Sequence, residues 1–151
     1  MKTDFQVYMK ILKPASEVYE AIVDPKKLSV YFIGKSSGRM QEGSTVYWNF
    51  TEHPGDVPIE VTKLVPNELI RFNWNGDDFT YKTQVEITLK AIAADITLIS
   101  ISETGWKQDD KGTKSSYRNC GGWMNMICCL KAYIEYGINL RKGAFEGLSF
   151  E

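Results

Sequence analysis

Hydrophobic residues along this chain follow two periods in turn. Phe5, Val7, Met9 and Ile11 alternate with Gln6, Tyr8, Lys10 and Leu12, the two-residue period of a strand with one buried face. Pro14 stops that strand. PASEVYEAIVDP then sets Val18, Tyr19, Ile22 and Val23 at helical spacing, with Pro14 suited to a first turn and Glu17 near the positive helix end. Asp24 before Pro25 ends this helix and can cap a second, shorter one, in which Leu28, Tyr31 and Phe32 recur at three- to four-residue intervals before Gly34. The period then returns to two. SGRM, STVYWNF, PIEVTKLV, LIRFNWN, YKTQVEITLKAI and DITLISISE read as strands, and PNE and NGDD are tight turns that make their flanking strands antiparallel. A polar loop, WKQDDKGTKSS, leads into the longest helical pattern, from about Ser116 to Gly137.

This order predicts an α+β fold: a curved antiparallel sheet of about seven strands wrapped around a long C-terminal helix, with two short helices after the first strand. The sheet has one face to bury, and only the long helix is large enough to cover it. With 151 residues and 43% hydrophobic composition, one core is expected, so residues 1–151 are read as a single domain. The net charge of −1, with basic and acidic residues interspersed, argues against a nucleic-acid partner. The opening residues alternate where a signal peptide would be continuously apolar, and no run is long and apolar enough for membrane insertion. An odd cysteine count fits a reducing compartment, and the expected location is cytoplasmic.

All three cysteines fall in CGGWMNMICCLKAYIEYG, which invites a metal or redox reading. On a helix they disperse. With Trp123 at zero, Ile127, Leu130, Ile134, Gly137 and Ile138 lie within about 60°, flanked by Met126 and Tyr133, and form the buried stripe. Cys120, Cys128 and Cys129 point about 60°, 140° and 240° away. Cys120 and Cys128 are about 12 Å apart along the axis, beyond disulfide reach, and a structural zinc would need four converging ligands from a chain with a single histidine, His53. No metal, cofactor or catalytic residue is assigned. Gly121 and Gly122 are read as sites of close helix packing or a kink.

The stripe becomes interesting because of what faces it. Trp48 and Phe50 share one parity on their strand, as do Phe72 and Trp74, so four rings could project toward Trp123. So many wide rings suggest the frame of an apolar pocket. If Ile99 and Ile101 point inward, Glu103 does too, beside Trp106, where it could meet a polar ligand group, Arg71 or a tyrosine hydroxyl.

The stretch KPASEVYEAIVDPKKLSVYF resembles the opening of domains in the START-related, birch-pollen-allergen-like (SRPBCC) superfamily. ETGW at Glu103 to Trp106 and GGWMNMICCLKAYIEYG resemble the close of its heat-shock-protein ATPase activator homologue (Aha-type) branch. The resemblance implies a helix-grip fold with a cavity between sheet and helix, in which relatives bind lipids, sterols or polyketides and some perform cyclase or hydrolytic chemistry. The eukaryotic activators that name the branch resemble the chain in one domain only. The leading expectation is a non-enzymatic protein that binds a small apolar molecule. Trp48, Phe50, Phe72, Trp74, Ile99, Ile101, Trp106, Trp123, Met126, Ile127 and Leu130 would line the cavity, Glu103 would be the polar anchor, and Tyr31 and Phe32 would stand near the entrance. The alternatives are a cyclase or hydrolase using the same cavity, and a chaperone-ATPase regulator or interaction domain. Exposed sheet edges offer a surface for a homodimer.

Overall fold

A computed structural model describes residues 3–148. Strand β1 (Phe5–Ile11) is followed by helices α1 (Ala15–Val23) and α2 (Pro25–Tyr31). Strands β2 (Lys35–Ser36), β3 (Thr45–Asn49), β4 (Asp56–Val65), β5 (Leu69–Asn75), β6 (Lys82–Ala93) and β7 (Ile96–Thr104) come next, and the helix α3 (Asp110–Tyr136) follows them. The seven strands form one sheet in the order β1-β7-β6-β5-β4-β3-β2, every neighbouring pair antiparallel. After β1 the chain crosses by way of α1 and α2 to the far edge and returns as a meander, so β7 lands beside β1. Register shifts at Val61/Lys63 and Ala91/Ala93 insert bulges, which bend and twist a sheet.

Alternation places the core. On β7, Thr97, Ile99, Ile101 and Glu103 are buried while their neighbours are half-exposed, and on β6 Thr83, Val85, Ile87 and Leu89 are buried between exposed or half-exposed neighbours. Across the β6–β7 ladder Ile87 pairs with Ile101 and Val85 with Glu103, so these side chains share one face. Against that face α3 buries Trp123, Met126, Ile127, Cys129 and Leu130. Each such side chain removed from water contributes about 1.5–3 kcal/mol. Among the described residues no helix is long and apolar enough to cross a membrane.

Several local details follow from side-chain chemistry. Asp24 caps α2 as expected, its carboxylate accepting from the Lys26 N–H at 2.9 Å, with Pro25 in the first turn. Pro14 stands at the cap of α1, one place before its first turn. SGRM is not a strand; the edge strand is the two residues before it, because Ser36 Oγ bonds the carbonyl and N–H of Gly38 and turns the chain. Helix α3 starts at Asp110, well before Ser116, because Asp109 caps it: its carboxylate accepts from the Gly112 N–H at 2.7 Å and its carbonyl from the Thr113 N–H at 2.9 Å. At the other end Gly137 adopts the left-handed conformation at φ 66° and stops the helix. Ile138 therefore falls off the predicted stripe and is 54% exposed.

Candidate functional site

The site is built around Glu103, which the period of β7 turns inward and which is fully buried. Its carboxylate accepts from the indole N–H of Trp74 at 2.8 Å and the hydroxyl of Thr83 at 2.5 Å on one oxygen. The indole N–H of Trp123 at 2.9 Å and the amide of Asn119 at 3.1 Å reach the other. Asn119 and Trp123 are four residues apart and share one face of α3. One carboxylate thus ties α3 to β5, β6 and β7, and these donors replace the water it gave up. Neither expected partner is present: Arg71 pairs instead with Glu86 across β5 and β6, at 2.8 Å, and no tyrosine hydroxyl is among the donors.

Of the four rings expected to face Trp123, Phe72 and Trp74 lie against it, while Trp48 and Phe50 reach it through Phe32 and Phe72. Trp74 and Trp123 lie 5.3 Å apart between centroids, Phe72 and Trp123 6.2 Å, and Phe32 and Trp123 5.7 Å. Trp48 meets Phe72 at 5.4 Å and Phe32 at 6.0 Å, and Phe32 meets Phe50 at 5.4 Å. Such tilted and edge-to-face pairs are the arrangements aromatic quadrupoles favour. The space directly between Trp74 and Trp123 is occupied by the rings themselves.

A cleft of about 750 Å³ opens beside this cluster. It lies between the first half of α3, the loops β3–β4 and β5–β6, and the segment that follows α3. Phe32, Phe50, Trp74, Trp106 and Trp123, all named from the sequence, line it. Trp48, Phe72, Ile99, Ile101, Met126, Ile127 and Leu130 lie in the layer behind, each at most 2% exposed, as does Glu103. Tyr31 is buried too, stacked on Tyr133 at 5.3 Å with its hydroxyl donating to the Ala21 carbonyl at 2.8 Å, next to a smaller hollow of about 210 Å³. The glycine pair has a different role from the one read in the sequence: a Cβ built on Gly121 or Gly122 meets nothing within 4 Å. These glycines keep a stretch of helix surface bare where it borders the cleft.

Sequence reasoning missed the other contributors. His53, exposed between β3 and β4, lines the cleft, as do Phe79 at 90% exposure, Arg118, Arg141 and Phe145. Arg141 is ion-paired with Glu52, and its guanidinium lies 5.7 Å from the Phe32 ring, 5.8 Å from Phe50 and 4.9 Å from Phe145. Burial works to raise the pKa of Glu52, but hydrogen bonds from Arg141 and the backbone, with the arginine charge, outweigh it and hold the carboxyl below its usual range. The 89 residues separating Glu52 from Arg141 leave no local pattern to find. Arg118 was legible, since it shares a helical face with Gly121 and Gly122. The cysteines disperse as expected in direction, with Cys120 and Cys128 half-buried, but Cys129 is fully buried where a flank position was expected. Among the described residues no group of three or more His, Cys, Asp or Glu converges as metal ligands.

A curved antiparallel sheet gripping a C-terminal helix beside an aromatic-walled cleft defines a helix-grip protein. More narrowly, the chain belongs to the family of activator of Hsp90 ATPase homolog 1-like proteins, whose sequence model matches residues 13–135. Among solved structures it is similar to protein SSP2350 from Staphylococcus saprophyticus, with 28% identity, a TM-score of 0.78, and coverage of 91% of this chain and 96% of that one. DynU16, from the dynemicin biosynthetic locus, is 22% identical with a TM-score of 0.80, covering 92% of this chain and 49% of that one. The Aha1 dimer from Colwellia psychrerythraea is 20% identical with a TM-score of 0.72, covering 89% and 97%. No curated protein matches by sequence.

Proposed function

We propose that the protein binds a small, largely apolar molecule in the cleft beside α3. The observation that carries this reading is a 750 Å³ space walled by Phe32, Phe50, Trp74, Trp106 and Trp123. Two of those rings, Trp74 and Trp123, are held in place by Glu103. Such a volume is within the range of small-molecule sites, and mostly apolar walls with a few polar groups are their usual make-up. Binding is by burial: about 25 cal/mol per Å² of apolar surface, less the freedom lost on association. Trp48, Phe72, Ile99, Ile101, Met126, Ile127 and Leu130 act one layer back, fixing the wall. Glu103 serves as the positioning residue of the wall. Titrating the protein with a panel of lipids, sterols and aromatic metabolites should change tryptophan fluorescence and raise the melting temperature for at least one class. A panel without any response would overturn the reading.

DynU16's place in a biosynthetic locus favours an enzymatic second reading, with cyclase-type chemistry in the same cleft. Glu103 is fully buried with its donors all internal, so turnover should survive Glu103→Gln wherever the variant folds. The family's name favours regulation of a chaperone ATPase, for which a pull-down against the heat-shock ATPase is the direct measurement.

A further inference from the structure

We propose that the ligand of this cleft joins a flat apolar body to one anionic group, and that Arg118 recognises the anion. The inference rests on the binding function proposed above. Ser115, Arg118, Gly122 and Asn125 all line the cleft, and their three- and four-residue spacing puts them on one face of α3. In the middle of that face the two glycines leave backbone bare, with nothing within 4 Å of either Cβ position. Retaining two glycines inside a helix is unfavourable by about 1 kcal/mol each relative to alanine, so the bare patch is a feature with a cost. A flat body can lie over it, opposite the aromatic wall, where any side chain would intrude.

The charges around the cleft identify the polar end. Arg141 is neutralised by Glu52, Asp77 accepts the Tyr81 hydroxyl, and Asp56 accepts from the Asn49 amide at 3.4 Å. Arg118 has no hydrogen-bond or ion-pair partner among the described residues, and it is exposed on the cleft side of α3. An arginine there offers a planar fork of donors that matches a carboxylate, sulfonate or phosphate, one helical turn from the bare patch. Asp77 and Asp56 keep their negative charges on the β5–β6 loop and at the start of β4, so the free cation on α3, beside apolar rings, favours an amphipathic anion whose charged end lies at Arg118.

The test uses two probes of nearly equal shape, 1-anilinonaphthalene-8-sulfonate and its uncharged parent N-phenyl-1-naphthylamine, titrated by fluorescence into the wild type, Arg118→Gln and Gly122→Leu. Arg118→Gln should lower the ratio of sulfonate to neutral affinity by about fivefold, leaving the neutral probe unchanged. Raising the salt to about 0.5 M should compress the same ratio in the wild type but not in the variant. Gly122→Leu should weaken both probes. A ratio unmoved by Arg118→Gln overturns the anion site, while the binding function stands if Gly122→Leu still excludes the neutral probe. Failure of the wild type to bind either probe, or indifference of both to Gly122→Leu, overturns the cleft as a binding site and this inference with it.

Discussion

At the residue scale Glu103 is the side chain on which the site depends. Replacing it with Gln keeps the shape but removes the charge and presents an amide N–H₂ to donors that need an acceptor. Breaking charge-assisted bonds in a buried setting is worth about 3 kcal/mol. Glu103→Gln should thus lower the melting temperature by about 6–12 °C and alter the near-ultraviolet circular dichroism of Trp74 and Trp123. Tyr31 makes a second argument. Burial, then the neighbouring Tyr133 and Cys129, push its pKa well above the ordinary 10.0, and burial pushes the Cys129 thiol above 9.0 despite the Arg141 charge. Both folded values are raised, so the neutral forms are favoured in the native state. That stability is complete below the ordinary values and is lost as pH rises through the folded ones. Denaturant melts across the alkaline range should show declining stability above about pH 9. Tyr31→Phe should flatten the part of that decline above 10 while costing about 1 kcal/mol at neutral pH through loss of the bond to Ala21.

At the element scale α3 and the segment behind it make different demands. The open space at Gly121 and Gly122 means that Ala at either position meets no atom, so Gly121→Ala and Gly122→Ala should each stabilise by about 1 kcal/mol, or 2–4 °C in a thermal melt. A loss of stability would show that the helix needs glycine for its own packing. The segment 138–148 is held by Arg141, whose ion pair with Glu52 lies mostly out of water. Because the folded pKa of Glu52 is depressed, the pair stabilises fully above its ordinary value of 4.5 and is lost as pH falls through the folded value. The stability difference between wild type and Glu52→Gln should accordingly be constant near neutrality and vanish in acid. At neutral pH trypsin should cut after Arg141 about fivefold faster in the variant. The strand and helix periods were legible because each repeats within a few residues; the true start of α3 was not, since its first turn is polar and is specified by one cap, Asp109.

At the scale of the whole molecule, the connection order brings β7 beside β1 and lays α3 across the sheet, so groups from both halves of the chain meet at one cleft. A ligand that binds only the folded protein stabilises all of it. At a free concentration one hundred times its dissociation constant, it should raise stability by about 2.7 kcal/mol, visible as a rise of about 5–10 °C in the melt. The sheet ends at β1, an edge strand carrying Tyr8 at 65% exposure. Parity along the strands was enough to turn Trp48, Phe50, Phe72, Trp74 and Glu103 toward the helix. Whether those rings would frame a space or close on one another was beyond it, because that depends on distances of an ångström or two between segments far apart in sequence.

From the amino acids alone came the antiparallel meander, the long covering helix, the inward set of aromatic rings and the inward carboxylate, because backbone geometry imposes periods of two and 3.6 that sequence displays directly. Only the tertiary structure decided that Trp74 and Trp123 meet at 5.3 Å and share Glu103. It also decided that the open volume lies to one side of them, bordered by a bare turn of helix, an Arg118 with no partner among the described residues and a segment pinned through Arg141. Those outcomes are set by how volumes and charges from distant segments fill a common space, and no local period carries that information.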